Sequence, residues 1–297
     1  MANRLDSLVQ QVGSLPTLPS VIAKVNEQVN NPKTSALDLA QTILEDQALT
    51  ARLLRLVNSP FYGFPRRIAT VTEAVTILGF RPVRNLLLTA SIVDLMVTEE
   101  VPEFSPTSLW EHAVATAVGA SLLARYSRHE DREEVFVAGL LHDVGKVVLF
   151  HFLTKEFITV LETARSEDIP IRAAEHRLLG FTHDQVGRLM AERWKLPVRL
   201  SEAIGCHHRP DLAQVAKREA SLVHVADVLA RALGLGSGGD DAVPALEPDS
   251  WRRLGLLTTA LEPLMKEMEE QYAETRTILL NVAGGSGQQA ERLVHAS

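Results

Sequence analysis

Five histidines and two aspartates of this 297-residue chain stand in apolar stretches, where ionisable side chains are out of place. The clearest case is "GLLHDVGKVVLF", residues 139–150. There His142, Asp143 and Lys146 interrupt Leu140, Leu141, Val144, Val147 and Val148, a run that reads as a buried helix. Burying such groups is costly unless they are paired or bind a metal. On a helix, His142 shares its face with Ala138, Gly139, Gly145 and Lys146, and the small neighbours let a second backbone come close. "LWEHAVATAVGASLLA" repeats the arrangement: His112 has Ala115, Thr116 and Gly119 beside it, while Trp110, Val114, Val118 and Leu122 form a core stripe. His183 follows Thr182, and Gln185 completes a capping spacing, which puts His183 in the first turn of a helix. The helix dipole there disfavours a protonated imidazole, and the neutral form is what a metal takes. In "LSEAIGCHHRP", His207 and His208 would point about 100° apart on a regular helix. They converge more easily at a helix end, which Pro210 marks. Asp227 lies among Val223, Val225, Ala226, Val228 and Leu229.

Each residue has an ordinary explanation. A histidine on an apolar face is usually a hydrogen-bonded core residue, and Asp143–Lys146 and Asp227–Arg231 could be structural ion pairs. That account needs a separate partner for every member of the set, whereas bound metal compensates them together. Imidazole and carboxylate donors without thiolate point to iron or manganese ahead of catalytic-type zinc. Seven donors are too many for one tetrahedral ion and suit two ions sharing a carboxylate.

The elements that must position these residues read as helices almost throughout. Ser35 with Asp38, and Thr70 with Glu73, have capping-box spacing. Pro60 stops one helix after Val57; Gly79 suits a helix end, and Pro82 the first turn of the next helix, about 82–97. With no run of strands, the expected class is all-α. "TEEVPEFSPTS", residues 98–108, breaks the periodicity and separates an N-terminal helical subdomain (1–104) from a second helical unit (105–233). "GLGSGGDDAVPALEPDS", 234–250, reads as a linker. One or two helices are expected between Leu254 and Val282, in a segment 251–297 with a frayed tail.

Composition narrows the function. Hydrophobic residues make up 46% and charged residues 23%, as in an ordinary globular protein. A net charge of −7 argues against general nucleic-acid binding. Arg66, Arg67, Arg81 and Arg84 read as a solvated basic group. Cys206 is the one cysteine; it excludes an intrachain disulfide, fits a reducing compartment, and reads as a small buried hydrophobe. The start lacks a secretory signal. Leu86–Val97 is too short to span a bilayer and contains Asp94, so a cytoplasmic protein without membrane attachment is expected. Asn58, Ser59 and Tyr62 read as turn residues. His129, His151, His176, His224 and His295 read as structural or surface.

These residues also carry a resemblance. His112, the His142–Asp143 doublet and Asp227 resemble the H…HD…D signature of the HD superfamily of metal-dependent phosphohydrolases. His183, His207 and His208 resemble the extra ligands of its two-metal branch, which includes the HD-GYP cyclic-dinucleotide phosphodiesterases. "LPTLPSVIAKV", "ILEDQALTARLLRLVNSPFYG" and "ATVTEAVTILGFRPVRNLLL" resemble the HDOD domain, a bacterial signalling module; the likeness runs from about residue 13 to 233.

The resemblance implies an HD-like bundle in the second unit. His112, His142, Asp143 and Asp227 would hold one ion, and Asp143 would bridge to a second on His183, His207 and His208. Lys146 would face a phosphate, with Asp143 and Lys146 carrying any catalysis. Glu175 falls where some relatives have a further carboxylate, but reads more readily as exposed. The chain keeps ligands that many HDOD domains lack, yet "HHRPDLAQVAKREA" has no GYP element. The expectation is a signalling or regulatory module with a dinuclear metal site, protein partners, and a nucleotide or phosphate as its ligand. The alternative is an active metal-dependent phosphohydrolase.

Overall fold

The computed structural model describes residues 20–58, 64–96, 101–240 and 242–283. Among these the chain is all-α; the one extended pairing is an isolated antiparallel bridge between Val101 and Phe104. The described residues fall into two units, 20–95 with 273–283, and 96–272.

The unit of residues 20–95 with 273–283 contains α1 (Ser20–Val29), α2 (Ala36–Leu44), α3 (Gln47–Val57), α4 (Val71–Leu78) and α5 (Phe80–Met96). Its helix starts follow local chemistry. Ser35 Oγ accepts from Asp38 N at 3.1 Å while Asp38 Oδ2 accepts from Ser35 N at 2.9 Å. Thr70 Oγ1 accepts from Glu73 N at 3.1 Å, but Glu73 reaches back to Ala69 N, not to Thr70, so that box is shifted by one residue. Gly79 ends α4 at φ +91°, a value that favours glycine. Helix α5 starts at Phe80, two residues before the expected position, with Pro82 in its first turn. Asn58 ties the end of α3 to the next segment, donating to Leu54 O and Ile68 O and accepting from Ile68 N. Ser59, Pro60 and Tyr62 lie outside the described residues. Arg84, expected on the surface, is buried and donates to Asn85 Oδ1. Ile22, Val25, Leu39, Ile43, Leu53 and Leu87 fill the core.

The second unit is built from α6 (Pro106–Tyr126), α7 (Arg132–Leu141), α8 (Val144–Phe152), α9 (Thr154–Ser166), α10 (Ile171–Leu179), α11 (His183–Arg193), α12 (Val198–Cys206), α13 (Lys217–Ala232), α14 (Pro248–Leu254) and α15 (Leu261–Ala283) as far as Tyr272. Helix α6 is buried along nearly its whole length, which fits a helix whose commonest residue is alanine. One apolar cluster gathers Phe150, Phe157, Leu161, Leu179 and Phe181; another gathers Leu122, Leu222, Leu229, Leu264 and Met268.

The helix expected through residues 139–150 is broken. Helix α7 stops at Leu141, His142 and Asp143 form a turn, and α8 starts at Val144. Gly145 shows why. Its first-turn position presses on α11 so closely that a Cβ there would lie 2.0 Å from His183 O. The stretch 132–152 is long and apolar enough to cross a membrane, but 78% of its most apolar 18-residue window is buried, and it is interrupted at this turn.

The stretch expected as a linker runs along the bundle. Ser237 N donates to Ser108 O at 3.0 Å, and Asp240 accepts from Ile171 N at 2.9 Å. Glu247 N donates to His224 Nε2 at 3.0 Å.

Candidate metal centre

Five elements deliver the seven expected side chains to one place in the second unit. His112 comes from α6, His142 and Asp143 from the α7–α8 turn, His183 from the start of α11, His207 and His208 from the end of α12, and Asp227 from α13. The adjacent pairs His142–Asp143 and His207–His208 both lie just past a helix end, which frees them from the helical splay. The Thr182–Gln185 box starts α11 at His183.

Asp143 lies at the centre. Its Oδ2 is 3.3 Å from His142 Nε2 and 3.7 Å from His112 Nε2, whereas Oδ1 is 3.3 Å from His183 Nε2 and 3.9 Å from His207 Nε2. On the Oδ2 side, Asp227 Oδ1 is 3.1 Å from His112 Nε2 and 4.0 Å from His142 Nε2. On the Oδ1 side, His183 Nε2 and His208 Nε2 approach to 2.9 Å. Donor atoms about 2 Å from a shared ion lie roughly 3–4 Å from one another, as these do.

Ring orientation is set from behind. His142 Nδ1 donates to Gly139 O at 2.7 Å, His207 Nδ1 to Ile204 O at 2.6 Å, and His183 Nδ1 to Glu175 Oε2 at 2.7 Å. A carbonyl or carboxylate oxygen accepts only, so each Nδ1 carries the hydrogen and each Nε2 presents a lone pair, the arrangement of metal-bound histidine. His142 Nε2, His207 Nε2, Asp143 Oδ1 and Asp227 Oδ2 are buried with no hydrogen-bond partner, as are both ring nitrogens of His112. Such atoms fit a cation.

The electrostatics agree. Burial opposes ionisation of Asp143, but His142 and Lys146 overcome it and hold the carboxyl well below its usual range. Asp227 is likewise held well below, with His112 and Arg231 outweighing burial. Burial also opposes protonation of His142, yet the two carboxylates raise its pKa, the same pull a metal cation would feel. Burial and the neighbouring His142 and His183 push His207 down to about 3. Burial keeps His112 and His208 low as well.

Other ionisable side chains surround these donors. Lys146 is fully buried and its Nζ lies 2.6 Å from Asp143 Oδ2, so its charge is spent on that carboxylate. Asp227 pairs with Arg231 at 3.1 Å. Glu175, expected on the surface, is completely buried behind His183. His224 is buried with both ring nitrogens bound to backbone, an ordinary core histidine. Sequence reasoning passed over Asp184, which is buried and held by Arg172 at 3.0 Å. It forms a second His–Asp doublet with His183, a signal that was there to be read. It also passed over Asp240, which accepts from Arg231 at 2.7 Å.

A Geobacter sulfurreducens HDOD domain protein with unknown function is similar to this chain: 30% identical, TM-score 0.76, covering 95% of this chain and 98% of that one. A Shewanella amazonensis SB2B protein, provisionally described as a phosphohydrolase, is 25% identical with TM-score 0.68 and covers 92% and 97%. An uncharacterized Treponema pallidum protein is 28% identical over 203 residues, which is 68% of this chain but 39% of that relative's length. A model of the HDOD domain matches residues 15–210, more than half the chain, and the protein therefore belongs to the HDOD domain family.

Proposed function

We propose that this chain is an HDOD regulatory module organised around two divalent cations. His112, His142, Asp143 and Asp227 hold one ion, and Asp143, His183, His207 and His208 hold the other. A single observation carries the reading: the two oxygens of Asp143 face separate groups of inward-pointing imidazole nitrogens. Three overlapping donor groups, His112–His142–Asp227, His142–Asp143–His207 and His183–His207–His208, support it. None includes a thiolate, which favours iron or manganese over a structural zinc. The regulatory role is supported by family membership and by Lys146, whose charge is directed at Asp143 and away from solvent. Such a module works in a bacterial cytoplasm through protein partners.

The second reading is metal-dependent phosphoester hydrolysis. What favours it is an open cavity that reaches His208. Divalent ions, when bound, would supply Lewis acidity toward a phosphoryl oxygen, and the same His and Asp side chains would hold them.

Elemental analysis of anaerobically purified chain, followed by assay with bis(p-nitrophenyl) phosphate, separates the readings. Two ions per chain without turnover is the expected result. Turnover abolished by Asp143→Ala selects the hydrolase, and a folded chain that retains no metal overturns both.

A further inference from the structure

Residues 236–240 and 242–247 form a strap that supplies none of the seven donors yet touches what holds them on several sides. Gly236 lies against α6 at His112: a Cβ there would come within 2.2 Å of His112 N and 2.6 Å of Ser108 O. Ser237 N donates to that same Ser108 carbonyl at 3.0 Å. Asp240 Oδ2 accepts from Ile171 N at 2.9 Å, at the start of α10, the helix whose Glu175 holds His183. Glu247 N donates to His224 Nε2, so His224 Nδ1 carries the ring hydrogen and donates to His207 O at 2.9 Å.

The most direct link runs through Arg231, one guanidinium shared between Asp227 and the strap. Its Nε donates to Asp227 Oδ1 at 3.1 Å, while Nη1 donates to Asp240 Oδ1 at 2.7 Å and to Ala242 O at 2.8 Å. The side chains of Arg231 and Asp240 are only 8% and 5% exposed, which keeps these bonds largely out of reach of competing water. Gly238 closes the arrangement, since a Cβ there would lie 2.2 Å from Arg231 Nη2. A guanidinium is a rigid planar fork, so it cannot turn to suit Asp240 without moving its bond to Asp227. With Oδ1 held in this way, the Asp227 carboxylate is fixed in rotation, and its Oδ2 stays buried with no hydrogen-bond partner.

We propose that Arg231 is a positioning residue that couples the ion on His112, His142, Asp143 and Asp227 to the strap, so that filling the site tightens the strap and freeing the strap weakens the site. The inference rests on the two-cation reading and adds how that site is regulated. The coupling runs both ways, because a free energy shared by two equilibria acts equally on each.

The test is calorimetric titration of the full chain with Mn²⁺, paired with amide hydrogen exchange across the strap. In the parent, Mn²⁺ slows that exchange relative to the EDTA-stripped chain. Asp240→Ala removes the strap's hold on the guanidinium and weakens one of the two ions about fivefold or more, the lower end of typical couplings. Gly238→Ala, which alters no charge, does the same by displacing the guanidinium, and leaves the other ion unchanged. In an Arg231→Met background, Asp240→Ala has no further effect, because the route between strap and ion is gone. Equal losses in both backgrounds would mean that Asp240 acts through α10 instead, and would overturn the role of Arg231. Should Arg231→Met fail to fold, Gly238→Ala decides alone. The coupling is lost if Asp240→Ala and Gly238→Ala bind both ions as the parent does, or if Mn²⁺ leaves strap exchange unchanged. A folded parent that binds no Mn²⁺ removes the two-cation reading and the coupling with it, so the two failures are told apart by the parent alone.

Discussion

One oxygen of Glu175 accepts twice from His183, from its backbone N–H at 2.9 Å and from its ring Nδ1–H at 2.7 Å. The first bond fixes where α11 starts and the second fixes how the imidazole is turned. His183 Nε2 therefore points at Asp143 and His208 before any ligand arrives. Outer partners of this kind are typically worth about 10–100-fold in metal affinity. Glu175→Ala is expected to lower affinity by that range in chelator competition while helical content by circular dichroism stays unchanged. Parental affinity in the variant would mean that the ring is held by its other neighbours.

The Asp143 carboxylate serves two histidine groups and Lys146 at once. Replacing it with asparagine removes the shared ligand and leaves a buried ammonium without its counter-ion, a change that typically costs about 3–5 kcal/mol. Asp143→Asn is expected to lose both ions and to unfold at markedly lower denaturant. Adding Lys146→Met restores most of the stability and none of the metal. Denaturant midpoints read alongside metal analysis check this, and metal retained by Asp143→Asn would rule out a bridging role.

Glu202 holds the return from the paired histidines to α13. Its Oε2 accepts from the backbone N–H groups of Gln214, Val215 and Ala216 at 3.0, 2.8 and 2.9 Å. Burial opposes ionisation, but these three bonds outweigh it and bring the carboxyl below its ordinary 4.5. A depressed folded pKa means that the stabilisation is complete above the unfolded value and disappears as pH falls through the folded one. Glu202→Gln should therefore cost roughly 2–3 kcal/mol at pH 7, with the gap to the parent closing in acid below about pH 4.5. Urea titrations at several pH values measure it; a gap independent of pH would mean that the ionised form is not what stabilises the loop.

Gly145 marks the contact that joins the two donor groups. A Cβ there would meet His183 O at 2.0 Å and Gly187 N at 3.0 Å. Gly145→Ala must push α8 and α11 apart, an overpacking change of about 1–3 kcal/mol. The expected result is a lower melting temperature and preferential loss of the ion held by His183, His207 and His208. Unchanged metal content and melting temperature would show that the two helices have slack.

Much of this protein is written in its local sequence. The Ser35, Thr70 and Thr182 caps, the stop at Gly79 and the all-helical class depend on interactions within a few residues, which periodicity and side-chain chemistry reveal directly. The incongruity of His112, His142, Asp143 and Asp227 in apolar runs was equally legible, because burial follows from their neighbours. The rest depends on distant residues. Gly145 at the start of α8 answers to a carbonyl on α11, and Glu175 is buried where it accepts from His183. Lys146 turns inward to Asp143, and residues 234–240 lie along the bundle because Ser108, Ile171 and Arg231 bind them. Sequence alone determined which side chains require compensation. Only the packing of α6, α8, α11, α12 and α13 decided that they compensate one another at a common point, since convergence is a property of long-range contacts that no local pattern encodes.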